Sequence, residues 1–168
     1  MSCFACTDAP DRLSEQLRHG TGGFIEERRA IAGLSLFSTG MMGLIGLYQL
    51  GIVKKLPLNA DRVNASAEAY SHLSMPDAWL GLISYAVTGA LAAAGPIDRW
   101  RTAPALPLAL AGKVAADTAI AAKLTTDEWT KHKALCFWCL LSAGATVAML
   151  PLVWKEASAA VKTLLGSP

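Results

Sequence analysis

Four apolar stretches, each about as long as a lipid bilayer is thick, leave this sequence few folds to choose from. They cover residues 30–53, 78–95, 103–122 and 134–154. Crossing the hydrocarbon core takes roughly 20 helical residues. Backbone groups in lipid must be satisfied within their own segment, so each stretch is expected to be a helix. A water-soluble four-helix bundle would need a polar face on every helix, and the first, second and fourth stretches have none. Small residues crowd the stretches (Gly40, Gly43, Gly46, Ala90, Ala92, Ala93, Ala94, Ala115, Ala116, Ala119), as expected where helices pack closely in a membrane. The expected fold is an all-α membrane protein, a bundle of four transmembrane helices.

Composition agrees. Of 168 residues, 53% are hydrophobic and 17% charged, against about 25% charged in an ordinary globular domain. A net charge of +2 gives no reason to invoke nucleic acid as a partner. Residues 1–29 are polar and mixed in charge, without the apolar core of a secretory signal peptide. The chain thus divides into a polar tail (1–29), a membrane domain (30–154) and a short second tail (155–168). Positive charge favours the cytoplasmic side. With the N-terminus inside, that side holds Arg12, Arg18, Arg28, Arg29, Arg99, Arg101, Lys155 and Lys162, and the other holds Lys54, Lys55, Arg62, Lys123, Lys131 and Lys133. The paired arginines before the first stretch are the best-placed element. The expectation is a multi-pass protein of the cell (inner) membrane, both tails cytoplasmic, with the loops at 54–75 and 123–133 facing outward.

Chemistry resides in four cysteines, arranged as two C-x-x-C pairs. Cys136-Phe137-Trp138-Cys139 opens the fourth stretch. Residues three apart share a helix face, at a spacing compatible with a disulfide. A helix N-terminus and the preceding Lys131, His132 and Lys133 both favour the reactive thiolate. Three readings fit: a redox pair, two buried cysteines acting as small hydrophobes, or a metal site, which lacks the four ligands of a closed zinc centre. Redox is the leading one, and no metal is expected. The other pair, Cys3 and Cys6, lies in the polar tail, where cytosolic thiols stay reduced; inert or accessory cysteines are the default there.

The order of these features resembles the vitamin K epoxide reductase family, four-helix membrane thiol oxidoreductases that pass electrons from protein thiols to a quinone. The stretch Ala60-Asp61-Arg62-Val63-Asn64-Ala65-Ser66 resembles the family's outer-loop motif, with its valine and serine in place. The stretch from Pro76 through Asp77 and Gly81 to Tyr85 resembles the opening of its second core helix, and Cys136 and Cys139 match its catalytic pair. The resemblance implies a quinone (ubiquinone or menaquinone) as electron acceptor and an extracytoplasmic thioredoxin-like protein as thiol partner. Cys139 is the cysteine nearer the quinone, and Cys136 the one that exchanges with the partner. Ser66, Asp77, Phe137 and Trp138 are the expected quinone contacts, and a short outer-loop helix over residues 67–73 is expected to cover the bundle mouth. Three positions depart from the pattern. The loop's cysteine position is Ala60, with no cysteine between Lys54 and Met75; the family's tyrosine after the catalytic pair is matched by Ala143; and its asparagine in the second helix is matched by Asp77.

Several of these residues have a plainer role beside the functional one. Ser66 is placed to cap the loop helix, and Asp77 suits the positive end of a helix dipole. Lys113 and Asp117, four apart inside the third stretch, either pair with each other or form a proton path. Trp129, Phe137 and Trp138 sit where aromatic belts occur in membrane proteins generally. The expected function is quinone-linked thiol oxidation. The alternative is a non-enzymatic quinone- or partner-binding protein with the same fold.

Overall fold

The computed structural model describes residues 8–57, 64 and 76–166. Its helices are α1 (Asp8–His19), α2 (Ile25–Gln49), α3 (Asp77–Ala93), the single turn α4 (Arg99–Thr102), α5 (Ala105–Asp127) and α6 (Phe137–Leu164), with a π-helical turn at Glu128–His132 continuing α5. No strand occurs among the described residues. The helix expected at residues 67–73, with its cap Ser66, lies outside the described residues, as do Ala60, Cys3 and Cys6.

Three segments are long and apolar enough to cross a membrane: Ile25–Gln49, Ala105–Lys131 and Phe137–Leu164. The second expected span, α3, has 17 residues. At 1.5 Å per residue it is about 25 Å long, a few ångströms short of the hydrocarbon core. The helices also extend beyond their apolar stretches. α2 begins at Ile25, inside the stretch assigned to the polar tail, and α6 runs past Trp154 to Leu164 through Pro151. The two extensions are tied together by the Lys155–Glu27 ion pair at 2.9 Å.

The polarity of the bundle is that of a protein dissolved in lipid. Its surface carries large apolar side chains, among them Leu36, Ile83, Val87, Ile120 and Val147, whereas Ser35, Ser38, Thr88, Ser142 and Thr146 are buried. The small residues have two fates. Gly43 and Gly46 of α2 face Leu82 and Trp79 of α3, while Gly81 and Gly89 of α3 face Met42 and Ser35 of α2, so this seam lets the two helices approach closely. Ala115, Ala116 and Ala119 instead lie exposed on α5, and a Cβ at Gly40 would meet nothing. These four do not serve the packing expected of them. A core of Ile31, Ala92, Leu110, Val114, Met149 and Val153 joins α2, α3, α5 and α6.

The arginines account for how the short helix α3 ends. The last carbonyls of a helix have no partner within it. Arg28 of α2, fully buried, donates to the carbonyls of Ala92, Ala93, Ala94, Gly95 and Pro96 at 2.9–3.1 Å. Arg99 adds bonds to Leu91 and Ala94 at 2.6 and 2.7 Å and holds Glu156 of α6 in a bidentate pair at 2.8 and 2.7 Å. Both guanidinium groups thus meet the negative end of the α3 dipole. Gly95 makes the accompanying turn at φ +81°, where a Cβ would come within 2.8 Å of Leu106. Arg29 does for α1 what Arg28 does for α3, donating to the carbonyls of Leu17 and Gly20 at 2.7 and 2.9 Å. Arg28, Arg29 and Arg99 therefore have structural duties that a count of inside and outside charges does not register.

Candidate thiol redox site

Cys136 is the N-cap of α6. Its backbone is extended (φ −80°, ψ 115°), and its sulfur accepts the N–H of Cys139 at 3.3 Å. A cysteine here fills the role usually taken by Ser, Thr, Asp or Asn, with sulfur receiving one of the unpartnered amides of the first turn. Cys136 is fully buried and Cys139 partly so; both are free thiols. The expected placement of the pair at a helix start therefore holds in the structure.

The segment leading into Cys136 is shaped by the π-helical turn. Lys133 closes that turn at φ +50°, a left-handed conformation that non-glycine residues adopt rarely. One consequence is that Glu128, 9% exposed, accepts the backbone N–H of Cys136 at 3.0 Å. Single-turn π-bulges are frequent at functional sites.

Asn64 makes the most informative contacts. It is 3% exposed, its side-chain NH2 donates to the Cys136 sulfur at 3.2 Å, and its side-chain oxygen accepts the Cys139 thiol at 3.8 Å. Gln49, at the end of α2, donates to the Asn64 carbonyl at 3.5 Å and to Asp77 Oδ1 at 2.8 Å. A polar chain thus runs from Asp77 at the start of α3, through Gln49 and Asn64, to both thiols. In the sequence Asn64 is one residue of a loop motif, with nothing to mark it. Its only signal was position, two residues before the Ser66 of that motif.

Hydrogen bonds govern the acidity of Cys136. The bond from the Cys139 thiol, followed by the Cys139 backbone N–H and the Asn64 amide, brings the Cys136 thiol down to about 7; burial and the nearby Glu128 carboxylate oppose the shift. Of the basic residues expected to favour the thiolate, Lys131 and Lys133 are not among the groups acting on Cys136. The charge acting on Cys136 is the opposing Glu128, and Lys131 reaches Asp127 at 3.7 Å.

The remaining expected residues fall as follows. Asp77, at the first position of α3, is engaged by Gln49. Trp138 packs beside Ala134 and Cys136, with its indole N–H donating to the Pro57 carbonyl at 3.2 Å. Phe137 meets Trp138 edge to face at 5.7 Å and is exposed on its other side, as is Trp129. Lys113 and Asp117 pair at 2.5 Å. Ser84 of α3 bridges them, accepting from Lys113 at 2.9 Å and donating to Asp117 at 3.1 Å. Ala143 lines an apolar groove of about 370 Å³ between α5 and α6, beginning one residue beyond Cys139 at Leu140. No cluster of three or more candidate metal ligands occurs among the described residues.

A lipid-facing apolar surface, a buried polar interior and a thiol pair at one end of the bundle together define a multi-pass helical membrane protein with a dithiol site. The family model described as the vitamin K epoxide reductase family matches residues 29–154. The chain belongs to this family. A comparison with the curated proteins found no match.

Proposed function

We propose that this protein is a membrane thiol–disulfide oxidoreductase that passes electrons from protein thiols to a quinone through Cys136 and Cys139. The observation that carries this reading is the Cys136 sulfur, buried at a helix N-terminus and hydrogen-bonded by Asn64 and Cys139 in a chain of this family. These donors favour the thiolate, the form that attacks and leaves in disulfide exchange. In this reading α3 is the fourth span, both tails are cytoplasmic, residues 30–154 form the membrane domain, and the membrane is the cell (inner) membrane. The helical path from Cys136 to Glu156 is about 30 Å, one bilayer core, so thiols and arginine caps lie near opposite faces.

The cycle begins with Cys136 and Cys139 as a disulfide. A thiolate of a thioredoxin-like partner attacks Cys136 and displaces Cys139, which takes up a proton. The partner's second thiolate attacks the mixed disulfide and releases Cys136 as a thiolate, leaving the partner oxidised. A dithiol at Cys136 and Cys139 has now gained the two electrons the partner lost. A quinone, ubiquinone or menaquinone, accepts two electrons and two protons as the Cys136–Cys139 disulfide re-forms. Asp77, Phe137 and Trp138 border this site, and Ser66 joins them by its place in the loop motif. An apolar quinone fits the surroundings: Ala143, at the position of the family's tyrosine, opens an apolar groove one turn beyond Cys139. With Ala60 in place of the loop cysteine, the partner reaches Cys136 without a relay.

The test uses the full chain in lipid vesicles with a reduced thioredoxin-like protein and either quinone. Quinone-dependent partner oxidation is expected from the wild type and from a Cys3→Ser/Cys6→Ser variant, and none from Cys136→Ser. Cys139→Ser should accumulate a reducible adduct between Cys136 and the partner. If the wild type oxidises nothing in the presence of quinone, the enzymatic reading fails. The protein is then a quinone- or partner-binding module of the same fold.

A further inference from the structure

We infer that Asn64 is a positioning residue that adds to the inequality of the two cysteines, its NH2 group favouring Cys136 as the thiolate and its side-chain oxygen keeping the proton on Cys139. The inference rests on the oxidoreductase reading of the site, but its geometry stands apart from any acceptor. One side chain addresses both sulfurs with opposite polarity: the amide nitrogen donates to Cys136 at 3.2 Å, and the amide oxygen accepts from Cys139 at 3.8 Å. A carboxamide carries a donor and an acceptor on one rigid plane. A carboxylate offers acceptors alone, and an aliphatic side chain offers neither.

The backbone from which that side chain projects is held as well. Gln49 donates both to the backbone carbonyl of Asn64 and to Asp77, tying Asn64 to the end of α2 and the start of α3. Asn64 is 3% exposed, so water does not compete for its amide. A buried hydrogen bond to an ionised group is stronger than one between neutral groups, so the donor half of the contact counts for more once Cys136 is ionised.

This asymmetry serves thiol exchange directly. When the partner's second thiolate attacks the mixed disulfide, the bond between the partner's sulfur and Cys136 breaks and its electron pair goes to Cys136. A thiol of lower pKa is the faster leaving group. The proton that Cys139 acquired in the preceding step remains on its sulfur, with the Asn64 oxygen and the Cys136 sulfur as its two acceptors. No further oxidant or reductant takes part in this step.

The experiment is a pH titration of thiol alkylation on the reduced, full-length Cys3→Ser/Cys6→Ser protein in detergent, with labelling at Cys136 and Cys139 separated by mass spectrometry. In the protein with Asn64 intact, Cys136 labelling is expected to rise through about pH 7. In Asn64→Leu the midpoint should move up by about one pH unit, a roughly tenfold loss of labelling rate below the midpoint, because one pH unit is a factor of ten in thiolate. Asn64→Asp keeps the acceptor and adds a charge, and should move the Cys136 midpoint further up than Asn64→Leu while leaving Cys139 slow to label. A purely structural role for Asn64 changes the melting temperature and the extent of labelling without ordering the midpoints in this way. If Asn64→Leu fails to fold, Asn64→Asp, of nearly the same size, carries the test alone. Midpoints for Cys136 that match the Asn64-containing protein in the folded variants, or a fall in Asn64→Asp, overturn the inference. The titration needs neither quinone nor partner, so its failure is distinct from failure of the oxidoreductase reading.

Discussion

Removing Glu156 tests whether the arginine-capped end of α3 holds the bundle together. Glu156 is 2% exposed and Arg99 0%. Two parallel hydrogen bonds of 2.8 and 2.7 Å join them. Glu156→Ala leaves a buried guanidinium without its counter-charge. Breaking a buried pair from one side costs about 3–5 kcal/mol. Arg99 keeps its bonds to the carbonyls of Leu91 and Ala94 in this variant, so its positive charge still meets partial negative charge, and the expected loss lies near the lower end, about 3 kcal/mol. Arg99→Met does more damage: it strands the carboxylate of Glu156 and removes donors from the end of α3. The double variant Arg99→Met/Glu156→Ala escapes the stranded charge but still loses the cap. A double-mutant cycle should therefore return a coupling of about 2 kcal/mol in favour of the pair, within the range seen for residues in one polar network. The measurement is reversible unfolding of the purified protein by a denaturing detergent, read by circular dichroism. A loss below about 1 kcal/mol for Glu156→Ala, the range of an exposed ion pair, or a cycle without coupling, would refute the argument.

Three further outcomes follow from the geometry. Gly95→Ala places a side chain at φ +81° with its Cβ 2.8 Å from Leu106, and should cost about 1–3 kcal/mol in the same unfolding assay; a neutral result would mean that the turn after α3 is not held in this form. Lys113→Met alone should destabilise more than Lys113→Met/Asp117→Leu, because the single change leaves Asp117 without the cation it meets at 2.5 Å; equal losses would show that the pair is not coupled. The folded-state pKa of Cys136 lies below that of an ordinary thiol, so its contribution to stability is present above the ordinary thiol pKa and declines as pH falls toward about 7. Unfolding of the reduced protein followed from alkaline to neutral pH should show this decline in the wild type and not in Cys136→Ala.

The sequence by itself determined the solvent of this protein, the number of its apolar segments and the place of its thiols. Apolar length is a local property, and so is the spacing of Cys136 and Cys139. Both could be read directly, and a helix start close to the pair followed from them. Helix ends were less legible. α2 begins at Ile25 among charged residues because Arg28 is hydrogen-bonded to carbonyls at the end of α3, more than sixty residues away in sequence. Nothing in the local pattern of Glu26, Glu27, Arg28 and Arg29 separates a buried arginine from a solvated one. The same holds for the end of α3, whose last carbonyls are satisfied by side chains from outside the helix. Tertiary structure alone decided which small residues pack and which face lipid, since Gly46 and Gly40 look alike until a neighbouring helix is placed beside one of them. It also decided the electrostatics of the thiols. Lys131 and Lys133 lie close to Cys136 in sequence, but the neighbours that act on the sulfur are Cys139, Asn64 and Glu128. Hydrogen bonds act over about 3 Å and depend on direction, so they follow the path of the folded chain and not the order of its residues.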